Sequence, residues 1–302
     1  MQRKLTDKFI DPFTDFGFKK LFGEECNNDL LLDFLNELLH KEEGKIVSLS
    51  YLKTERLGFS SESRKAVFDL YCENEKGEKF IVELQKTRQE YFKDRTLYYS
   101  TFAITEQAIP GEWNFNLKEV YVIAILNFVF EEDRNDRDKY RYDVMLTDTE
   151  THRIFYDKLK FIYLEMPKFA KEVDELETHF EKWMYVLKNL KRLDSIPDKL
   201  REKIFERIFA AAEIAKLTPE EYRAYVDNLN SYRDLKNSLD YAEAKGKAEG
   251  KAEGRAEGRA EGKTEGRAEE KVEIAKELKK FGMPFDQISA ATKLSIREIE
   301  NL

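Results

Sequence analysis

Apolar residues in the first half of the chain change their spacing several times, and each spacing predicts a different element. Helical spacing covers residues 28–40 and 90–108. The alternating or continuous apolar runs that are typical of strands lie at 46–52, 66–73, 79–87, 119–128, 140–146, 153–156 and 160–165. The resulting order, αβββαβ and then further strands, predicts an α/β (α+β) domain in which helices flank a mixed sheet.

The second half of the chain shows helical spacing almost throughout. Between residues 175 and 239 this spacing is divided by Pro197 and by Thr218 followed by Pro219, a pair that is typical of a helix start. A further helix is predicted over 269–281, with Gly282 as its end. Ser295 and Glu298 form a capping-box pattern. Apolar residues are expected to close a small helical hairpin at the end of the chain: Ile288, Leu294, Ile296, Ile299 and Leu302.

A glycine recurs at every fourth residue from Gly246 to Gly266, with a basic residue, then Ala or Thr, then Glu in between. A period of four is close to a helical turn, so each residue type would form a stripe along a helix. Like charges then meet at i,i+4, and each glycine costs about 1 kcal/mol relative to Ala. A solvated low-complexity linker and a helix that pairs its charged stripes with a second helix both remain open.

Composition and charge narrow the class of protein. The 302 residues include 52 Lys+Arg and 60 Asp+Glu, and the net charge of -8 argues against non-specific coating of nucleic acid. Two cysteines and three scattered histidines cannot build a zinc cage, and they indicate a reduced, cytoplasmic protein. The longest apolar stretch, 120–130, is too short to span a bilayer, and no secretory signal is expected. Because no glycine-rich loop follows a predicted strand, we expect no nucleotide cofactor. Because the apolar stretch is short, we expect no membrane partner.

The candidate chemistry lies on the predicted hairpin of strands 66–73 and 79–87. A three-residue turn at 75–77, with Gly77 in the left-handed conformation, pairs Asn74 with Glu78 and therefore Asp69 with Glu83. One face of this hairpin is then apolar, with Phe68, Leu70, Cys72, Phe80, Val82 and Leu84. The other face carries Asp69, Tyr71, Ile81, Glu83 and Gln85. A two-residue turn would place Asp69 on the apolar face, where a charge is costly.

Two carboxylates that face each other across a strand pair repel unless something compensates their charge. A divalent cation is one compensator. Mg²⁺ (or Mn²⁺) binds one or two protein carboxylates, keeps several waters and takes phosphate oxygens from a substrate. The backbone carbonyl of Leu84 is a further candidate ligand, and such an ion activates water for phosphodiester hydrolysis. The alternative is a solvated polar face without a ligand.

Asp69 on one strand and the run Glu83-Leu84-Gln85 on the next, within the αβββαβ order, resemble the restriction-endonuclease-like core of the PD-(D/E)XK nucleases. The wider sequence is similar to the Rpn-like recombination-promoting nucleases, also described as PD-(D/E)XK family transposases. Two further blocks carry this resemblance, FIDPFTDFGFKKLFG at 9–23 and DRTLYY at 94–99. A charged Gly-x-x-x repeat with a small helical tail is also typical of that branch.

The resemblance implies that Asp69 and Glu83 are metal ligands and catalytic residues. It gives Gln85 the third position of the motif, which orients the attacking water. That position is usually Lys, and the neutral Gln lacks its charge. Lys86 follows directly, but in the predicted register it points to the opposite face of the hairpin.

Other residues are candidates for contacts with phosphate or for a second layer around the metal. Arg95 and Tyr99 share one face of helix 90–108 and could reach a phosphate; an exposed ion pair and a packed aromatic are the alternatives. Gln107, further along this helix, is a candidate to point towards the site. Glu37 is either an outer metal ligand or an exposed helix charge. For Asp15 we expect an N-cap or turn role, with a site-facing role as the alternative.

The sequence therefore predicts a Mg²⁺- or Mn²⁺-dependent DNA endonuclease, recombination-promoting or transposase-like, that forms a homodimer or larger assembly. The alternative is a catalytically degenerate nuclease fold that acts as an assembly protein through its repeat and tail. A DNA-reading tail is not favoured, because its last helix offers only Arg297. The predicted domains are a nuclease-like domain at 1–170, a helical region at 171–240, the repeat at 241–270 and a small helical tail at 271–302.

Overall fold

The computed structural model describes residues 7–39, 44–56, 66–109, 111 and 114–302. The chain divides into two compact units, the first ending at Arg233 and the second running from Asp234 to Leu302. The helices are α1 (Asp15–Phe22), α2 (Asn28–Leu39), α3 (Phe92–Thr105), α4 (His179–Asn189), α5 (Lys203–Ala212), α6 (Pro219–Lys280), α7 (Phe285–Thr292) and α8 (Ile296–Glu300). Residue 40, the predicted end of the helix at 28–40, lies outside the described residues. The finer domain boundaries stay predictions.

The strands form a mixed sheet. They are β1 (Leu49–Tyr51), β2 (Glu55–Arg56), β3 (Ala66–Val67), β4 (Leu70–Asn74), β5 (Lys79–Gln85), β6 (Val120–Leu126), β7 (Arg141–Thr147) and β8 (Ile154–Glu165). In the described part of the chain, the sheet order is β1-β4-β5-β6-β8-β7, and β2 and β3 form a separate pair. β4 is antiparallel to β1 and β5, whereas β6 is parallel to β5 and β8. α3 makes the crossover between the parallel strands β5 and β6. The predicted αβββαβ order is confirmed. The two weak strands predicted at 153–156 and 160–165 form a single strand, β8.

Both faces of the sheet are covered at the central strands β4, β5 and β6, whereas the alternation of the hairpin predicts one polar face. Leu70 and Val82 lie in a large core with α1, α2, α4 and α5. On the other face, Tyr71 and Ile81 are buried in a second core with α3. β6 is buried along its whole length, which agrees with its nearly continuous apolar run. Polar residues of the hairpin therefore lie at the rim of a covered face rather than on a solvated one.

The first strand of the predicted hairpin is broken at Phe68 and Asp69, between β3 and β4. Phe68 packs edge-on against Tyr99 of α3, with ring centres 5.0 Å apart. Its N–H donates to the carbonyl of Thr54 at 2.9 Å. The prediction that Phe68 shares a face with Leu70 is wrong, because the period of two holds only while a strand is regular.

The start of α1 is tightly packed. Thr14 is the N-cap: its Oγ1 accepts a hydrogen bond from the Gly17 N–H at 2.9 Å and donates to the Asp11 carbonyl at 2.7 Å. A Cβ on Gly17 would stand 2.1 Å from that carbonyl oxygen. Only glycine permits this approach of one backbone to another. Of the N-cap or turn role expected for Asp15, the N-cap part is wrong, since Asp15 is the first residue of α1 and lies in its first turn.

The second unit contains the repeat and the tail. α6 continues through the repeat to Lys280, and Gly282, with a φ of +76°, follows its end. The helical alternative for the repeat is therefore the one the structure shows, while pairing with a second helix stays a prediction. The Ser295–Glu298 capping box is confirmed. In the tail Ile288 and Ile299 are buried, but Ile296 and Leu302, which were expected to join them, are exposed.

Across the described residues, no helix has both the length and the apolar character needed to cross a lipid bilayer.

Replacing Gly17 by Ala is expected to lower the free energy of unfolding by about 2 kcal/mol, since a methyl group would overlap the Asp11 carbonyl. Thermal unfolding followed by circular dichroism measures the effect. Gly250→Ala is the matched control, because its Cβ would meet nothing within 4 Å, and alanine favours an exposed helix by up to ~1 kcal/mol. Equal stability of the two variants would contradict the close approach at Gly17.

Candidate active site

The hairpin of β4 and β5 closes through the turn that the sequence predicts. Gly77 has a φ of +80°, and its N–H donates to the Asn74 carbonyl at 3.0 Å. The side chain of Asn74 accepts from the Glu78 N–H, also at 3.0 Å. Cys72 pairs with Phe80, and the same register places Asp69 opposite Glu83. The predicted register is confirmed, and it brings the two carboxylates together.

Both carboxylates are bonded to the backbone at the point where β4 begins. Asp69 Oδ2 accepts a hydrogen bond from the Leu84 N–H at 2.7 Å. Glu83 Oε1 accepts one from the Asp69 N–H at 3.1 Å. Since the N–H and C=O of one strand residue point to the same edge of the strand, the Leu84 carbonyl points to the edge of β5 that faces β4. The two carboxylates therefore converge beside the end of β5, on the edge to which this carbonyl points.

The carboxylate pair is electrostatically strained. Glu83 is only 3% exposed. Burial raises the pKa of Glu83, and the Asp69 carboxylate raises it further, whereas Arg95 lowers it. Burial also raises the pKa of Asp69, against the Leu84 hydrogen bond and the charges of Lys19 and Arg95. Asp69 is half-buried and Glu83 is buried, and neighbouring carboxylates in such surroundings do not both ionise without a compensating positive charge.

Arg95 of α3 reaches the pair from the sheet face that α3 covers. Its Nη2 lies 3.5 Å from Glu83 Oε2 and donates to Gln85 Oε1 at 2.7 Å. Its Nη1 donates to Gln89 Oε1 at 2.7 Å. Gln85 is buried, and its Nε2 donates to the Thr87 carbonyl at 2.7 Å. Both ends of the Gln85 amide are thus engaged, and one of them holds Arg95.

Tyr99 forms a wall beside this arrangement. It packs against Phe68, and the Arg95 guanidinium lies 5.6 Å from the centre of its ring. Tyr99 is therefore a packed aromatic residue, which is one of the two predicted alternatives. Because it lies next to Arg95, it also borders the site.

A second cation, Lys19, belongs to α1, which packs in the core on the other face of the sheet from α3. Its charge lowers the pKa of both Asp69 and Glu83. Lys19 pairs with Asp15 at 2.7 Å, and the Asp15 charge in turn raises the pKa of Asp69. Asp15 is therefore within electrostatic range of Asp69, and a role of Asp15 in the site stays a prediction. Sequence reasoning missed Lys19, although its position four residues after Asp15 in the block at 9–23 was an available signal.

Lys86 points away from the carboxylates, as the register predicts. Its Nζ lies 3.1 Å from the centre of the Tyr232 ring and 3.8 Å from Asp11 Oδ2. These contacts hold α6 against the segment before α1. Lys86 therefore does not face the carboxylates, and this position does not support the predicted contact with phosphate.

Gln107 lies at the other end of β5. Its Oε1 accepts from the Lys118 N–H at 2.7 Å, in the segment that leads into β6. Lys79, at the start of β5, lies opposite Val120, the first residue of β6. Four strand residues, about 13 Å, separate Lys79 from Glu83. The expectation that Gln107 points towards the site is therefore wrong.

Glu37 belongs to a different cluster, centred on His179 of α4. His179 Nε2 lies 2.8 Å from Asp33 Oδ2, and its Nδ1 lies 3.0 Å from Glu202 Oε2. The hydrogen bond to Asp33 and the charges of Asp33, Glu37 and Glu202 raise the pKa of His179 against the effect of burial. Glu37 thus lies within electrostatic range of His179 rather than beside the carboxylate pair. His179 is half-buried and forms ion pairs with Asp33 and Glu202.

The oxygen donors of the site fit a hard divalent cation. Each carboxylate uses one oxygen for a backbone N–H. The second oxygen of Glu83 lies 3.5 Å from Arg95 Nη2, and the Leu84 carbonyl points to the same edge of β5. Among the described residues, no group of three or more His, Cys, Asp and Glu side chains could hold a metal ion. The set is thus two carboxylates and a carbonyl, which suits Mg²⁺ with its retained waters better than an ion that needs an all-protein cage.

One comparison with known proteins gives a match. The family model described as PD-(D/E)XK nuclease family transposase matches residues 12–242. The match includes all the residues around the carboxylate pair and ends before the first glycine of the repeat, Gly246. No curated protein and no solved structure matches the chain. The resemblance inferred from the sequence is confirmed at the level of the family.

Glu83→Gln is expected to stabilise the metal-free protein increasingly as pH rises. The fold holds the pKa of Glu83 at about 8, against about 4.3 in an unfolded chain. The wild type therefore loses stability as pH rises between these values, because its unfolded state gives up the proton first. Urea denaturation in EDTA at pH 5 and pH 9 should show the advantage of the amide growing by at least ~1 kcal/mol.

The exposed Glu150 provides the control for this experiment. Glu150→Gln should show no such growth. If the effect of Glu83→Gln were equally independent of pH, the carboxylates would not form a buried, mutually repelling pair.

His179→Gln is expected to show the opposite pH dependence. Because the pKa of folded His179 is raised, its ion pairs contribute fully below the unfolded value of about 6.5 and are lost as pH rises through the folded value. The variant should be less stable than the wild type by ~0.5–1 kcal/mol at pH 5.5 and should approach it at pH 9. Thermal melts across this range measure it; a deficit that grows with pH would contradict the ion pairs.

Proposed function

The chain belongs to the PD-(D/E)XK nuclease family transposases, and from this membership and the site geometry we propose that it is a metal-dependent DNA endonuclease that hydrolyses phosphodiester bonds. The observation that carries the proposal is the pair of Asp69 and the buried Glu83, with the Arg95 guanidinium 3.5 Å from Glu83 and the charge of Lys19 acting on both acids. A structural ion pair would balance charges within the protein. Here the two acids repel each other. A bound divalent ion would compensate their negative charges, and the phosphate of a substrate would offset the positive charge that remains.

Asp69, Glu83 and the carbonyl of Leu84 are the groups that would hold Mg²⁺ or Mn²⁺. When bound, such an ion lowers the pKa of a coordinated water and stabilises charge on the phosphate. Glu83 and Asp69 must be ionised to bind it. The hydrogen bonds from the Leu84 and Asp69 N–H groups favour the ionised carboxylates and fix their orientation.

Arg95 supplies the positive charge that Gln85 lacks. Lys in the third position of the motif would present its charge from β5, whereas here Gln85 accepts a hydrogen bond from a guanidinium that comes from α3. Arg95 Nε is buried and has no hydrogen-bond partner within the described ranges. A guanidinium offers five N–H donors, so Arg95 keeps donors for phosphate oxygens. In this proposal Gln85 positions Arg95 and uses its remaining lone pair or N–H to orient the water.

Lys19 and Arg95 would flank the scissile phosphate. α1 packs in the core on one face of the sheet and α3 in the core on the other, so the two cations approach the carboxylates from different faces. A DNA strand that passes the end of β5 would meet both. In the parts of the chain that the structure describes, we find one such carboxylate pair, so cleavage of both strands at one place would use two copies.

Nicking of supercoiled plasmid by the full-length protein with Mg²⁺ or Mn²⁺ tests the proposal. We expect Glu83→Gln and EDTA to abolish nicking, a loss of at least ~100-fold in rate. Arg95→Met should lower the rate by at least ~10-fold, because it removes a charge-assisted contact to phosphate.

Arg88→Met is the matched control. Arg88 is an exposed arginine that pairs with Glu131 at 2.7 Å, and its removal should leave the rate within about twofold, as for other surface pairs. Absence of nicking, together with calorimetry that shows no Glu83-dependent binding of divalent ions, would overturn the proposal. The assembly alternative, through the repeat and tail, would then be the one to test.

A further inference from the structure

A cavity of about 570 Å³ adjoins the candidate active site at the start of α3. It shares Arg95 and Tyr99 with the site and continues past Tyr91 and Tyr98. The volume is within the ~300–1,000 Å³ that small-molecule sites occupy. Because Arg95 also contacts Glu83 and Gln85, anything bound in the cavity lies next to the proposed cleavage point.

Three tyrosines give this cavity a stacking surface. Tyr91 directly precedes α3, and Tyr98 follows it by seven residues, which is two helical turns. Tyr99, the next residue of α3, lines the cavity as well. Tyr91 is 68% exposed and Tyr98 is 38% exposed, whereas the aromatic residues elsewhere on α3, Phe92 and Phe102, are buried. Tyr98 is held in place by an edge-on contact with Phe102 at 5.1 Å. A nucleobase is a flat π system, and its stacking on tyrosine is worth ~1–3 kcal/mol.

The polar residues of the cavity favour a base over a phosphate. Glu90 and Asp94 also line it, and their carboxylates would repel the phosphate backbone. Carboxylates accept hydrogen bonds from the exocyclic amino groups of bases. Among the lining residues that the structure describes, Arg95 is the one with a positive charge, and it lies at the side of the cavity that adjoins Glu83. The charge pattern thus places the phosphate at Arg95 and the base among the tyrosines.

We propose that this cavity binds an unpaired nucleobase of the DNA strand, next to the phosphate that is cut, and that the preferred substrate is therefore single-stranded or locally unpaired DNA. The proposal rests on the proposed function, whose substrate class it narrows. A base in a duplex is stacked and paired, so it would have to leave the helix to enter, at a cost of a few kcal/mol. An unpaired base enters without that cost.

Equilibrium binding in EDTA tests the cavity independently of cleavage. The probes are a fluorescein-labelled 12-mer of oligo-dT and a blunt duplex of the same length, followed by anisotropy with the full-length protein. We expect the wild type to bind the single strand at least ~10-fold more tightly. Tyr91→Ala combined with Tyr98→Ala should weaken single-strand binding by about 10-fold or more, while Tyr91→Phe combined with Tyr98→Phe should retain it.

Two controls separate base stacking from other effects. Phe155→Ala removes a different exposed aromatic residue, 83% exposed on β8, and should not change binding. An oligonucleotide whose bases are replaced by abasic sites should bind weakly, and the tyrosine variants should not weaken it further, because the lost base and the lost ring are partners in one interaction. Circular dichroism of each variant shows that it is folded.

The outcomes for the two proposals are distinct. Plasmid nicking by the wild type, without a preference for the single strand or without an effect of the alanine variants, would overturn the base-binding cavity and leave the endonuclease standing. Tyrosine-dependent binding of oligo-dT without nicking in Mg²⁺ would support the cavity and overturn the endonuclease. Absence of DNA binding in EDTA would overturn the cavity.

Discussion

The site depends on one substitution of hydrogen-bond partners, in which the side chain of Asp69 takes the place of a backbone carbonyl. At the point where β4 meets Phe68 and Asp69, the Leu84 N–H of β5 donates to the Asp69 carboxylate. The exchange satisfies a backbone donor that would otherwise be costly to bury. It also fixes a carboxylate opposite Glu83 and moves Phe68 to the other face of the sheet. A regular hairpin would place the same residues close together without orienting them.

The burial that orients the carboxylates also makes them repel, so the same feature costs stability and prepares the site for a cation. The fold reduces the cost with cations from both faces of the sheet. α1 brings Lys19, and its position depends on the close approach at Gly17 and on the segment where the Asp11 N–H donates to the Tyr225 hydroxyl at 2.8 Å. α3 brings Arg95, which Gln85 and Gln89 hold. Functional sites commonly carry such a deficit in stability.

Much of this arrangement was predictable, and the failures have physical causes. The glycine turn fixed the register of the hairpin, because a left-handed residue at Gly77 allows few alternatives, and the register alone pairs Asp69 with Glu83. Phe68 was misplaced because alternation does not reveal where a strand breaks. Lys19 was missed, Gln107 was expected to point towards the site, and Glu37 was left open between the metal and an exposed position. Helical spacing tells which residues share a face but not where that face packs. The aromatic cavity depends on that same packing and left no signal in the pattern.

The repeat has a geometric consequence for sequences that differ in the number of its units. Four residues advance a helix by about 6 Å and rotate it by about 40° beyond a full turn. Gain or loss of one Gly-x-x-x unit within α6 would therefore change the length of the helix and the direction in which the small tail core around Ile288 and Ile299 faces, without altering any contact within that core. The number of repeat units thus determines the length of this helical segment and the rotation about its axis between its two ends. A whole unit more or less keeps the stripes of like residues aligned along the helix, whereas insertion of a single residue within a unit would break that alignment.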